Sequence, residues 1–417
     1  MLQREVSTKS TYAEAQSYNE DMKLTLNPTP TMAARLAMKC TLGHHEFPNP
    51  CSRNQKRSLA QWRTTTLDVN GEEESMRGYT EKKRARQEEV IEDDKISQQS
   101  TELILSLPRE KGWRTPYVYL FQGFWCQPHE IQAIITFQKH FQAKDSDVLV
   151  ATVPKSGTTW LKALTFATVS RHNFSSFNKN HPLLNFNPHD LVPFFEYTVY
   201  DKHDKVPDLS NMHEPRLFGT HVPFASLSKS IKESNCKVIY ICRNPFDTFI
   251  SSWFFANKIK PGSLPTLALD EAFEMYCKGV VGFGPFWTHM LGYWKESIEK
   301  PNKVLFLMYE DLKGDINFHL KRVAEFLGCP FTLEEENRGV IENIIKLCSF
   351  QKMKELEGEI GDWVNYLSPS MAQKLTKVME DKLGGSGNGN NESFTMKEGN
   401  VDSGGWECVD NGRTEDL

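Results

Sequence analysis

The chain lacks a long apolar run, a basic surplus and any paired spacing of cysteines, and each lack removes a class of function. No stretch approaches the roughly 20 consecutive apolar residues that span a bilayer. The N-terminus has no apolar core of about 7–15 residues, as a signal peptide would. Lys and Arg number 49 against 54 Asp and Glu, a net charge of −5 over 417 residues. Without a cationic excess there is no general affinity for nucleic acid or for a membrane surface, although a few local cations suffice for a small anion. Nine cysteines, an odd number scattered along the chain, read as reduced thiols of the cytoplasm rather than a disulfide framework. With 39% hydrophobic and 25% charged residues, the composition is that of a water-soluble globular protein.

Fold signals are unevenly spread. Residues 1–95 carry few aliphatic clusters and much charge, including the basic run Lys82-Lys83-Arg84-Ala85-Arg86. A nuclear address is one reading of that run; acidic residues on both sides favour a solvated, disordered extension. Glu5, Glu14, Glu20 and Asp21 speak against a transit peptide. Residues 384–417 hold 8 of the 25 glycines, interleaved with Asn and Ser, which predicts a second disordered tail. Residues 96–383 between them are long enough to bury the core of a single domain.

Within that domain three short apolar runs, Val148–Val153, Val238–Cys242 and Val304–Tyr309, are continuous rather than alternating. This is the pattern of strands buried on both faces of a parallel sheet. Helical periodicity follows. Trp160, Leu161, Leu164 and Ala167 share one face; Leu312, Ile316, Leu320, Val323 and Leu327 share another, with Gly328 as the stop. Ser368-Pro369 opens a last helix. The prediction is an α/β fold with a central, mainly parallel sheet flanked by helices, whose ligand lies at the carboxyl ends of the strands.

One loop there carries chemistry. Pro154-Lys155-Ser156-Gly157-Thr158-Thr159-Trp160 stands between the first buried strand and its helix. A helix N-terminus offers unpaired N–H groups and partial positive charge to an anion. Gly157 permits close backbone approach, Lys155 adds a full charge, and the two Thr hydroxyls can cap the helix or donate to phosphate oxygens. An ordinary Thr-capped turn is the bland alternative; the unbroken Lys-Ser-Gly-Thr-Thr order favours a phosphate or sulfate cradle. The Walker pattern of a phosphoryl-transfer enzyme is missing, since Lys precedes Gly here.

With these residues in place, the chain resembles the plant branch of the cytosolic sulfotransferase family. The resemblance rests on Pro154–Trp160, on Cys242-Arg243-Asn244-Pro245-Phe246-Asp247 running to Ser251 and Trp253, on Pro215–Pro223, and on Gly358–Trp363. Lys111-Gly112-Trp113, Phe121–Trp125 and His181–Leu184 add plant-type matches. It implies transfer of a sulfonate group from 3′-phosphoadenosine 5′-phosphosulfate (PAPS) to a hydroxyl of a small acceptor, without a metal. By motif, Lys155, Ser156, Gly157, Thr158 and Thr159 would hold the 5′-phosphosulfate, and Trp160 and Tyr309 the adenine pocket. Arg243 and Ser251 would bind the 3′-phosphate. His221 would be the catalytic base, taking the acceptor's proton, with Lys155 stabilising charge on the leaving phosphate. His189, in Asn187-Pro188-His189-Asp190, is the competing histidine. Many animal members carry a Lys two residues before the base; Gly219 stands there, so that contact is expected to be absent.

The pattern breaks in one place. Members normally have a long segment ending in Arg-Lys-Gly before Gly-Asp-Trp; here only Gln351–Glu357 separate Phe350 from Gly358, and Leu356-Glu357-Gly358 replaces Arg-Lys-Gly. Each charged hydrogen bond to a phosphate is worth about 1.5–3 kcal/mol, so losing two would weaken cofactor binding by about two orders of magnitude. The alternative function is therefore a catalytically impaired relative that binds a nucleotide or small ligand. A dimerisation pattern is missing after Trp363, which predicts a monomer. Phe121, Phe124, Trp125, Phe194 and Phe195 suggest an apolar acceptor pocket, although for any single Phe the core is the better assignment. The acceptors implied are flavonoids, hydroxyjasmonates or brassinosteroids.

Overall fold

Val148, Leu149, Val150, Ala151 and Thr152 are all buried, as the unbroken apolar run requires of a strand covered on both faces. A computed structural model describes residues 101–177, 179–201, 206–349, 360–383, 394–398 and 406–410. After helical residues 101–106 come three strands, β1 (Arg109–Lys111), β2 (Tyr117–Phe121) and β3 (Phe124–Cys126), joined antiparallel in a small sheet of their own. The central sheet contains β4 (Val148–Thr152), β5 (Leu217–Thr220), β6 (Lys237–Cys242) and β7 (Val304–Met308). Its order is β5-β4-β6-β7, and every pairing is parallel. The helices used below are α1 (Pro128–His140), α2 (Thr158–Ser170), α3 (Pro245–Ile259), α4 (Phe286–Glu299), α5 (Ile316–Phe326) and α6 (Pro369–Leu383). The architecture is the predicted α/β one.

The register is what places the site. Ala151 pairs with Thr220 on one side and Tyr240 on the other, and Cys242 pairs with Met308. All four carboxyl ends therefore lie along one edge. The residues that leave the sheet there are Val153 and the loop after it, His221, Arg243 and Tyr309.

Two local expectations need correcting. The periodic run from Leu312 to Leu327 is not one helix: Leu312 belongs to a short helix ending at Gly314, and α5 starts at Ile316. Asp315 causes the break by accepting the Phe318 N–H as N-cap. Gly328 does stop α5, with φ +71°. In the Gly-rich stretch beyond Leu383, β8 (Phe394–Glu398) and β9 (Trp406–Asp410) pair antiparallel. Those ten positions contain no glycine and include Phe, Thr, Val and Trp, residues that favour strands. The residues 1–95 of the expected extension and the shortened stretch at 350–358 lie outside the described residues.

Candidate active site

The loop after β4 is wound by two left-handed residues, Lys155 (φ +72°) and Gly157 (φ +92°). For Lys155 this conformation is costly, roughly 1–2 kcal/mol, and such strain concentrates at functional sites. Gly157 has a second reason to lack a side chain: a Cβ there would run into the Tyr309 ring. Gly157 is also the N-cap of α2, and no side chain caps that helix. The Thr pair does not cap it, contrary to one option in the sequence. Thr158 Oγ1 lies 2.7 Å from Thr152 Oγ1, and Thr159 Oγ1 lies 3.1 Å from His189 Nε2. The first-turn N–H groups of α2 are thus left for an anion.

Behind the loop, Trp160 meets Tyr309 edge-on at 5.7 Å. The Arg243 guanidinium lies 4.8 Å from the centroid of the same Tyr309 ring and 3.9 Å from Asp247. Asp247 sits in the first turn of α3 and accepts the N–H groups of Gly361 and Trp363, so the Gly-Asp-Trp segment docks on the helix that follows Arg243. Trp363 packs on Phe246, rings 4.7 Å apart.

A cavity of about 460 Å³ opens onto the loop. Lys155, Thr158, Thr159, His189 and His221 line it together, so both candidate histidines and the cradle share one space. Ser156 and Arg243 line a second, small cavity of about 10 Å³; Ser251, on α3, lines neither. Of the five aromatic residues suggested for an acceptor pocket, Phe194 lines the large cavity. Phe121, Phe124 and Phe195 are core residues, and Trp125 is half-buried outside the lining. The aromatic wall comes instead from Trp113, Tyr197, Phe255 and Phe283. Phe283 holds φ +62°, clamped by its N–H to the Trp125 carbonyl at 2.7 Å. No periodicity in the sequence marks it, because a single loop residue has none.

The two histidines are used differently. His221 Nδ1 is 2.8 Å from the Thr152 carbonyl oxygen, an acceptor only, so Nδ1 carries the proton and the lone pair is on Nε2. Its backbone is pinned as well. The N–H donates to Glu196 at 2.6 Å, and the carbonyl accepts from His289 Nε2 at 2.8 Å. Phe194, Tyr197 and Phe283 surround the ring at 4.7–6.1 Å. Burial first, and then the positive charge of Lys162, push His221 well below the usual imidazole range, so its ring is neutral near pH 7. His189, by contrast, has both ring nitrogens engaged, by Thr159 and Lys162. Burial and the Lys162 and Lys155 charges push it down to about 4.

Two charged residues here were not singled out in the sequence. Glu196, in a π-helical turn at Phe195–Val199, is buried and pushed up to about 7 by that burial; it accepts from Thr220 and from the His221 N–H. Lys162, on α2, is fully buried, and its ammonium fills the space beside Gly219 that a Cβ would occupy. The lysine side chain beside residue 219 thus comes from a different element, α2.

The sulfotransferase domain family matches residues 145–387, more than half of the chain. The chain belongs to the sulfotransferase family. Cytosolic sulfotransferase 15 of Arabidopsis thaliana is 56% identical over 317 residues, covering 71% of this chain and 88% of the relative. Cytosolic sulfotransferase 14 of the same plant is 54% identical over 319 residues, covering 71% and 92%. A crystal structure of an Arabidopsis thaliana protein provisionally assigned as a steroid sulphotransferase superposes with a TM-score of 0.59 at 47% identity, covering 69% of this chain and 93% of that one. As a sulfotransferase the chain is an enzyme that moves a sulfonate group to a hydroxyl of a small acceptor. The first alignment runs over 317 residues, whereas 71% of this chain is about 296. About 20 positions of that sulfotransferase thus have no counterpart here.

Proposed function

We propose that this sulfotransferase takes its sulfonate from PAPS and transfers it, in the cytosol, to a hydroxyl of a flat aromatic or hormone-like acceptor. One observation carries the reading: Lys155, Thr158 and Thr159 of the cradle line the same aromatic-walled cavity as His221, whose Nδ1 is committed to the Thr152 carbonyl and leaves Nε2 for the acceptor. The cradle suits a phosphosulfate, since two left-handed residues wind the loop and the helix start behind it has no side-chain cap to occupy its N–H groups. When bound, the nucleotide supplies an activated sulfonate on a phosphate leaving group.

The residues of the chain do the rest. His221 takes the acceptor's proton at Nε2 while Nδ1–H stays on the Thr152 carbonyl. Lys155 and the loop N–H groups stabilise the charge that grows on the departing phosphate. Ser156, Gly157, Thr158 and Thr159 hold the phosphosulfate, Trp160 and Tyr309 pack the base, and Arg243 with Ser251 takes the 3′-phosphate through a forked guanidinium. Trp113, Phe194, Tyr197, Phe255 and Phe283 exclude water from the acceptor. The wall suits flavonoid, hydroxyjasmonate or brassinosteroid frames alike. We further propose a monomer that needs no metal.

A second reading is a catalytically impaired sulfotransferase. It is favoured by Leu356-Glu357-Gly358 in place of two cations and by the unmatched positions in the alignment. One experiment separates the two: transfer from labelled PAPS to a panel of phenols and hydroxylated hormones. Wild type is run beside His221→Ala and beside a chain with the Arg-Lys-Gly segment restored. Activity in wild type that disappears in His221→Ala supports the first reading. Activity only in the restored chain supports the second.

A further inference from the structure

Lys162 is the only charged residue in α2, and the mechanism above gives it no part. It is fully buried. Its Nζ lies 3.0 Å from the centroid of the Phe194 ring and 3.3 Å from Nδ1 of His189. The site is made for it, because any side chain at residue 219 would collide with its Cε and Nζ. Burial pushes Lys162 well below the usual lysine range; the Phe194 face, the His189 lone pair and the negative charge of Glu196 act the other way and hold the ammonium form.

With Lys162 as an ammonium, the direction of the hydrogen bonds is fixed. An ammonium has donors and no acceptor, so His189 accepts at Nδ1. A neutral imidazole with a bare Nδ1 carries its proton on Nε2. Nε2 lies 3.1 Å from Thr159 Oγ1, and Thr159 is the acceptor there. The Thr159 hydroxyl therefore keeps its own O–H to give away, and Thr159 lines the cavity beside Lys155 and Thr158. We propose that Lys162 is a positioning residue: through the Nε2–H tautomer of His189 it commits the Thr159 hydroxyl to donating to the anionic group of the sulfonate donor. This rests on the reading that the loop holds that group. Without Lys162, His189 can place its proton on either nitrogen, and Thr159 can turn its O–H back onto the ring.

Two measurements test the relay. Nitrogen-15 NMR of the full chain labelled at histidine reads the tautomer with no donor present. His189, assigned through His189→Gln, is expected to show a bare Nδ1 and a protonated Nε2; a protonated Nδ1 overturns the proposal. In steady-state transfer, Lys162→Met is expected to raise KM for PAPS about 10- to 100-fold, the worth of one charge-assisted hydrogen bond. Acceptor KM is expected to stay within about twofold. Thr159→Val should do the same, and the double variant no more than the worse single one, because both remove one interaction. Additive losses, or an unchanged donor KM in Lys162→Met, overturn it. If Lys162→Met does not fold, the tautomer in wild type still decides. Absence of any transfer from PAPS by wild type defeats the functional reading alone, since the tautomer is measured without PAPS.

Discussion

The cradle and the histidine pocket share one cavity and are built in opposite ways. The cradle is seven consecutive residues, Pro154–Trp160, shaped by two left-handed backbones and one helix start. The pocket of His221 is assembled from Thr152 on β4, Glu196 in its π turn, His289 on α4 and Lys162 on α2. A local device survives neighbouring changes and fails when its own residues change. An assembled device can be damaged from several elements, each by a modest amount.

The largest expected effect is on the assembled side. His221→Ala removes the one ring whose Nε2 lone pair meets the cavity and is expected to lower kcat by about 100- to 10,000-fold, with the donor KM little changed. A raised KM with kcat unchanged would place His221 in binding instead. Lys155→Met is the matching change in the cradle. It is expected to cost about 100- to 1,000-fold in kcat/KM for the donor, the range for one preorganised oxyanion donor.

Gly157→Ala tests whether the cradle is as local as it looks. The new Cβ meets the Tyr309 ring in a left-handed backbone, so donor KM should rise and Tm fall by several degrees, at about 2–4 °C per kcal/mol for a domain of this class. A Tm equal to wild type would mean that Tyr309 yields without cost.

The smallest effect is on pH. His221 is held below its usual range by burial, and by Lys162, His289 and His189, against the Thr152 carbonyl, which acts the other way. A base with a lowered pKa stays unprotonated further into acid, so the acid limb of kcat/KM should lie below pH 6.5. Lys162→Met, which removes one of the positive charges, should move that limb upward. A limb at 6.5 in both proteins would show that the surroundings do not tune the ring.

These differences also explain what could be read from the chain alone. Val148–Val153, Val238–Cys242 and Val304–Tyr309 are legible because a doubly covered strand must be apolar at every position, and they became β4, β6 and β7. The cradle is legible because its chemistry is contiguous. Glu196 and Lys162 were not, because each is a single charge inside an apolar run, and only the packed structure shows that they neighbour each other. Lys162 did leave one trace: it is the only charge among the thirteen residues of α2. Phe283 left none, since its place against His221 depends on a backbone clamp to β3.

The ring behind Gly157 has a consequence for how the protein is made. A ribosome completes Pro154–Trp160 well before it reaches Tyr309, and β6 and β7 must both join the sheet before that ring is in place. The backing of the anion cradle is thus a late product of folding, since it waits for long-range pairing that forms slowly. A nascent or truncated chain ending before Val304 displays the entire loop motif but lacks the ring that packs behind Gly157.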